Sequence, residues 1–144
     1  MSLFTWVKKQ VKEKKLRLNT LLIGSGKNAA DITDELHGSF DLKAYHLIAY
    51  LSDASSHEDL MQPRLRSMGT LDNLEKVIRR AHIEKVIIAL ESEEHYQING
   101  ILERLEGVPV SIAIIPDIYQ LLLGAVKVDY QFDIPLLEIN QELI

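Results

Sequence analysis

From Thr20 onward, short apolar runs alternate with longer amphipathic stretches, and small polar loops separate them. The run Thr20 to Ile23 is too short for a helix and reads as a strand; "KNAADITDEL" then carries helical spacing from about Lys27 to Leu36, with Gly38 as its stop. A second strand is expected at about Tyr45 to Leu51. The polar stretch "SDASSHEDLMQP", residues 52 to 63, reaches a proline and reads as a loop. A brief strand is expected near Leu65 to Met68. Thr70 is then placed as a helix N-cap ahead of "LDNLEKVIRRAHI", where Leu71, Leu74, Val77, Ile78 and Ala81 share one face. "KVIIAL", residues 85 to 90, is continuously apolar, as a strand covered on both faces should be. The next helix is carried by Ile98, Ile101, Leu102 and Leu105 and stops at Gly107, and "VPVSIAIIPD" (108 to 117) is the last strong strand. Beyond it a short helix to about Leu123, a turn at Gly124 and one more strand are expected. Strands and helices in this alternation specify an α/β fold, a doubly wound, mostly parallel sheet of the Rossmann-like kind.

Composition narrows the chemistry. A chain of 144 residues suits one domain, and 47% apolar residues suffice for a core. The absence of cysteine excludes a disulfide framework and a thiolate zinc site. The longest uncharged apolar stretches, Gly107 to Pro116 and Ile118 to Val126, fall well short of the ~20 residues that span a bilayer. Charge is unevenly spread: the net −5 combines a net +5 over residues 1 to 17 with a net −10 over residues 18 to 144. The basic leader has two readings. One is a solvated helix start, or a fusion remnant at Met1-Ser2-Leu3. The other is a juxtamembrane linker whose residues 4 to 17, with Phe4 and Trp6, meet a membrane surface, each cation contributing ~1 kcal/mol near an anionic leaflet. No nucleic-acid partner is expected from an acidic body.

The segment "LLIGSGKNAAD" places Gly24, Gly26 and Ala29 in a G-x-G-x-x-A spacing between strand and helix. In dinucleotide-binding folds the first glycine makes the turn, the second lets a pyrophosphate approach, and the third small residue lets helix and strand pack closely. The amides from Gly26 to Asn28 would face the anion at the positive end of the helix dipole, and Lys27 would add a charge. An acidic residue should end the second strand and hold a ribose hydroxyl. Asp53 stands there, 29 residues beyond Gly24 rather than the usual ~20. Against a bound pyrophosphate stands "ESEE", Glu91 to Glu94, at the C-terminal end of the 85–90 strand. A carboxylate ~4 Å from a phosphate costs ~4 kcal/mol at an effective dielectric of about 20. The candidate binding residues are therefore Gly24, Gly26, Lys27, Asn28, Ala29 and Asp53.

Catalytic and metal-ligating constellations are not found in the sequence. None of the five tyrosines is followed four residues later by lysine, the pair many sugar-modifying members of this fold use for proton transfer. No G-x-S-x-G elbow and no G-K-[ST] loop occurs. The five histidines lack the i,i+4 pairing with a third ligand that a metal site requires.

"TLLIGSGKNAADITDEL", "YLSD", "MGTLDNLEKVIRRAHIEKVIIAL" and "IIPDIYQLLLGAVKVDYQFDIPLLEI" together resemble, in the same order, the cytoplasmic CoA-binding-like Rossmann domain of bacterial polyprenyl glycosylphosphotransferases. That family includes the undecaprenyl-phosphate glucose or galactose phosphotransferases of exopolysaccharide synthesis. The resemblance implies a domain, residues 18 to 144, that follows a basic juxtamembrane linker at residues 1 to 17 within a larger membrane protein, on the cytoplasmic side of the inner membrane. It implies a parent that moves a sugar-1-phosphate from a nucleotide sugar to a lipid phosphate, with the reacting residues elsewhere in that parent. The sequence departs from the family at Glu91 to Glu94, where a small neutral turn is common. NAD(P), CoA or a nucleotide sugar are the candidate cofactors, and a turn that holds none is the fourth reading. The expected role is a non-catalytic nucleotide-binding-like or regulatory module. The alternatives are the N-terminal part of a nucleoside-diphosphate-sugar epimerase or dehydratase, and a homodimerisation or docking module that contacts the parent's other domains through the Tyr119 to Val128 segment.

Overall fold

A computed structural model describes residues 17–38, 45–53, 58–115 and 137–138. The basic leader through residue 16, the helix expected near Leu123, the Gly124 turn and the Tyr119 to Val128 segment lie outside the described residues. The order is β1 (Leu18–Ile23), α1 (Lys27–Gly38), β2 (Tyr45–Leu51), a 3-10 turn at Leu71–Asn73 leading into α2 (Leu74–Arg80), and β3 (Lys85–Ile88). A second 3-10 turn at Ser92–Gln97 leads into α3 (Ile98–Leu105), followed by β4 (Ser111–Ile114) and β5 (Leu137–Glu138).

The sheet runs β2-β1-β3-β4-β5. β1 pairs in parallel with β2 and β3, and β3 in parallel with β4, whereas the two-residue β5 is antiparallel to β4. The first crossover steps from β1 to one side and the second steps back past it to β3. Right-handed crossovers then put α1 on one face and α2 with α3 on the other. Two ion pairs agree with that placement. Arg104 on α3 forks onto Glu75 at the start of α2, at 2.6 and 2.8 Å, while Asp34 of α1 holds Arg64 from the β2–α2 connection at 2.9 and 3.2 Å.

Covered faces explain the strand sequences. Leu21, Leu22 and Ile23 of β1 and Val86, Ile87 and Ile88 of β3 are fully buried, so both faces of the central strands must be apolar. β2 alternates more, with exposed His46, because it lies nearer the sheet edge. α3 buries Ile98, Ile101, Leu102 and Leu105, the positions its periodicity picks out. Each such aliphatic side chain contributes roughly 1.5–3 kcal/mol on burial. Lys85 is also buried, its Nζ 5.1 Å from the centre of the Tyr45 ring, which faces the cation with the electron-rich side of its π-system.

Local details depart from expectation. Leu65 to Met68 forms a single parallel bridge, Tyr50 with Ser67, because only Tyr50 exchanges backbone bonds with Arg66 and Met68. Thr70 has the extended backbone of an N-cap, but its hydroxyl caps nothing. Asp53 reaches across from the end of β2 and its Oδ1 accepts the Leu71 N–H at 2.9 Å. Ahead of the helix expected through Ile98 to Leu105, Ser92–Gln97 forms a 3-10 turn, and the chain becomes α-helical only at Ile98. The regular part of the 108–117 strand is Ser111–Ile114.

Candidate functional site

At the C-terminal ends of β1, β2 and β3 the winding changes direction, which is where ligands enter open α/β sheets. Ladder bonds continue past the strands here: Gly24 N–H donates to Leu51 O at 2.9 Å, and Ala89 N–H to Ile23 O at 2.8 Å. Gly24 is held so close to Ala89 that a Cβ would collide with that residue's carbonyl, lying 2.9 Å from its carbon, and its φ of +135° is open only to glycine. Ala29, fully buried, is the small residue that brings α1 down onto the strand. Gly24 and Ala29 thus play the packing roles that the spacing implies.

The turn is tied to β2 on one side. Ser25 and Ser52 hydroxyls lie 2.7 Å apart, and Ser25 O accepts the Leu60 N–H at 2.8 Å. Neither serine was singled out by the motif, since their meeting depends on the β1–β2 register. Behind them Tyr50 donates to Asp59 Oδ2 at 2.7 Å and accepts from Gln62 Nε2 at 3.1 Å. Burial, and then the Asp59 carboxylate, push the Tyr50 phenol above its ordinary range, so it remains a neutral donor.

The other side carries the decisive contact. Asn28 N–H, in the first turn of α1, donates to Glu91 Oε2 at 2.9 Å, and Asn28 Nδ2 donates to Leu90 O at 3.1 Å. Glu91 is itself fixed. Its N–H donates to Glu94 Oε1 at 3.0 Å, Glu94 N–H donates to Glu91 O at 2.9 Å, and the two form a capping box at the start of the 3-10 turn. Glu94 is buried to 2% exposure, so this anchor is not a mobile surface group. The end of a helix carries roughly half a positive charge and unpaired amides, which attract an anion. In this chain a carboxylate from the β3–α3 connection takes one of those amides.

The structure therefore brings Gly24, Gly26, Asn28 and Ala29 together with Glu91 at one rim, with Ser52 linking the neighbouring Asp53 to it. Lys27 stands apart: its side chain is 79% exposed and pairs along the helix with Asp31 at 3.6 Å. Asp53 is on the expected side of the turn, with one carboxylate oxygen committed to the Leu71 amide. Sequence reasoning placed Glu91 to Glu94 here as repulsive groups; that one of them bonds the helix amide depends on the exact length of the loop after β3.

Fold and rim define a Rossmann-like α/β domain with a glycine turn at the point where the winding reverses. The chain belongs to the CoA-binding domain family, whose family model matches residues 2–116. It is similar to the capsular polysaccharide biosynthesis protein CapD of Staphylococcus aureus, 23% identical over 112 residues, which cover 76% of this chain and 18% of that protein. Among solved structures it is similar to UDP-D-quinovosamine 4-dehydrogenase from Vibrio fischeri, with a TM-score of 0.62 and 20% identity over 88% of this chain and 97% of that one. A second, RSP in complex with β-NADH, superposes with a TM-score of 0.54 and 17% identity over 92% of this chain and 57% of that one. These two likenesses show the Rossmann fold. Among the described residues no helix is long and apolar enough to cross a membrane.

Proposed function

We propose that this chain is a non-catalytic, nucleotide-binding-like regulatory module of a protein that builds surface polysaccharide, and that its glycine turn rests in a closed state. The Asn28–Glu91 contact carries the reading: a carboxylate of the chain itself takes a helix amide that a phosphate would use in a dinucleotide complex. The likeness to CapD supports the polysaccharide setting. The parent we infer is a membrane sugar-phosphate transferase that passes a sugar-1-phosphate to undecaprenyl phosphate, with residues 1 to 17 as its basic linker at the cytoplasmic membrane surface and the remainder docking against the parent's other domains. A second reading, the N-terminal part of a nucleoside-diphosphate-sugar epimerase or dehydratase, is favoured by the likeness to a UDP-sugar dehydrogenase. The test is a backbone-amide NMR titration with NAD, CoA and UDP-sugars, read at Gly24 to Asn28. These amides stay unperturbed in the wild-type chain and respond in Glu91→Ala. A tight wild-type complex at the turn overturns the closed state, and turnover of a UDP-sugar by the chain, lost in Asp53→Ala, moves the assignment to the second reading.

A further inference from the structure

Beyond β2, at the edge of the sheet, the backbone around Ser67 and one face of α2 border a solvent-open cavity of about 390 Å3 that shares no residue with the glycine turn. Arg66 stands on one wall; Lys76 and Arg80, one helical turn apart on α2, stand on the other. No acidic side chain lines the cavity, and none of the three cations pairs with a carboxylate among the described residues. That is unusual in a body whose residues 18 to 144 carry a net −10, and where Arg64 and Arg104 both have carboxylate partners. The apolar side chains of Met68, Val77 and Ala81 complete the lining. Asn73 Nδ2 donates to Met68 O at 3.0 Å and fixes the edge segment against the helix, so the two walls hold a set spacing.

We propose that this edge cavity binds a small phosphorylated organic ligand of the mononucleotide class, its phosphates between Arg66, Lys76 and Arg80 and the flat face of its base against Met68 and Val77. Guanidinium groups bond phosphate oxygens in pairs, and three cations with no carboxylate partner among the described residues select a multiply charged anion over a single carboxylate. The volume lies near the lower end of the roughly 300–1,000 Å3 of small-molecule sites, which fits a mononucleotide better than a dinucleotide. Because the cations line a concavity with an apolar lining, the geometry suits a soluble ligand rather than a flat membrane surface. The site is independent of the turn, so Glu91→Ala leaves it unchanged.

The experiment is an amide NMR titration of the full chain with UDP, with ADP, with inorganic pyrophosphate, and with phosphatidylglycerol vesicles. UDP and ADP should shift the amides of residues 66 to 68 and 76 to 81 saturably, more tightly than pyrophosphate, and less so as salt rises. Arg80→Glu should weaken UDP at least about ten-fold, the loss of one charge-assisted hydrogen bond. Arg79→Glu, an equal charge change on the same helix outside the cavity, should leave UDP affinity within about two-fold of wild type, since it removes no such bond. Both positions are exposed, and an unchanged urea midpoint confirms that each variant folds. Silence at these amides, equal losses in the two variants, equal affinity for pyrophosphate and UDP, or vesicle binding without a response to UDP or ADP each overturn the proposal.

Discussion

Removing the Glu91 carboxylate should lower stability and raise anion affinity at the glycine turn, two effects of opposite sign from one substitution. In Glu91→Ala the Asn28 N–H loses its acceptor at 2.9 Å, and the capping box with Glu94 is broken. Loss of a capping acceptor costs about 0.5–2 kcal/mol, and loss of a carboxylate near a helix N-terminus about 0.3–1 kcal/mol. A total of about 1–3 kcal/mol is expected, a sizeable part of the roughly 5–15 kcal/mol that holds a domain together. Glu91→Gln keeps an acceptor oxygen and should lose only the charge–dipole part, below about 1 kcal/mol. The vacated amide then takes an added anion: at ten times its dissociation constant, pyrophosphate returns about 1.4 kcal/mol to the alanine variant. The assay is urea unfolding followed by circular dichroism, in chloride and in pyrophosphate at matched ionic strength. Any stabilisation by anions bound elsewhere is common to both proteins, so the readout is the excess in the variant over wild type. An alanine variant as stable as wild type, or equal anion stabilisation of the two, would refute the reasoning.

Gly24→Ala should cost about 2–5 kcal/mol in the same unfolding assay, because its Cβ meets the Ala89 carbonyl in a backbone conformation that L residues avoid; a loss below about 1 kcal/mol would show that β1 and β3 separate more easily than their packing implies. Asp53→Ala removes the acceptor for the Leu71 N–H, and a destabilisation of about 1 kcal/mol is expected, rescued in part by Asp53→Asn. The Arg104 guanidinium, chiefly through its hydrogen bonds, holds the Glu75 carboxyl below its ordinary 4.5. The stability it adds is present above the unfolded value and is lost as pH falls through the lower folded value. The wild-type advantage over Arg104→Met should therefore be flat at neutral pH and shrink in acid. It should stay under about 1 kcal/mol, since the two side chains are 34% and 43% exposed and solvent screens them.

The sheet was legible because its signal is repeated. A two-sided apolar run such as 85–90 has few alternatives, and the G-x-G-x-x-A spacing leaves a strand, a turn and a helix in fixed order. What the one-dimensional pattern does not carry is partner choice. Thr70 has the side chain of an N-cap, yet Asp53 caps that turn, because a carboxylate 18 residues away reaches the Leu71 amide once β2 and the connection are folded. Nor does helical periodicity register the cavity at the sheet edge. "EKVIRR" shows Lys76 and Arg80 as ordinary solvated positions, and only the return of residues 66 to 68 along Tyr50 sets Arg66 opposite them.

Glu91 shows how the sign of an electrostatic argument can depend on a single loop. As a charge near the end of β3 it repels a phosphate, and the sequence supports that much. In the folded chain the same charge meets an unpaired helix amide, so it is stabilised where it sits while it competes with any incoming anion. Glu94, buried, holds the Glu91 backbone through a reciprocal pair of bonds. The glycine turn therefore keeps the geometry of a nucleotide site while one amide of its first helical turn, that of Asn28, is taken internally. The energy that separates the closed turn from an open one is of the size that a neighbouring domain can supply on docking, about 1–3 kcal/mol. The regulatory role we propose calls for a contact of that strength, since one much stronger could not be opened and one much weaker would not hold.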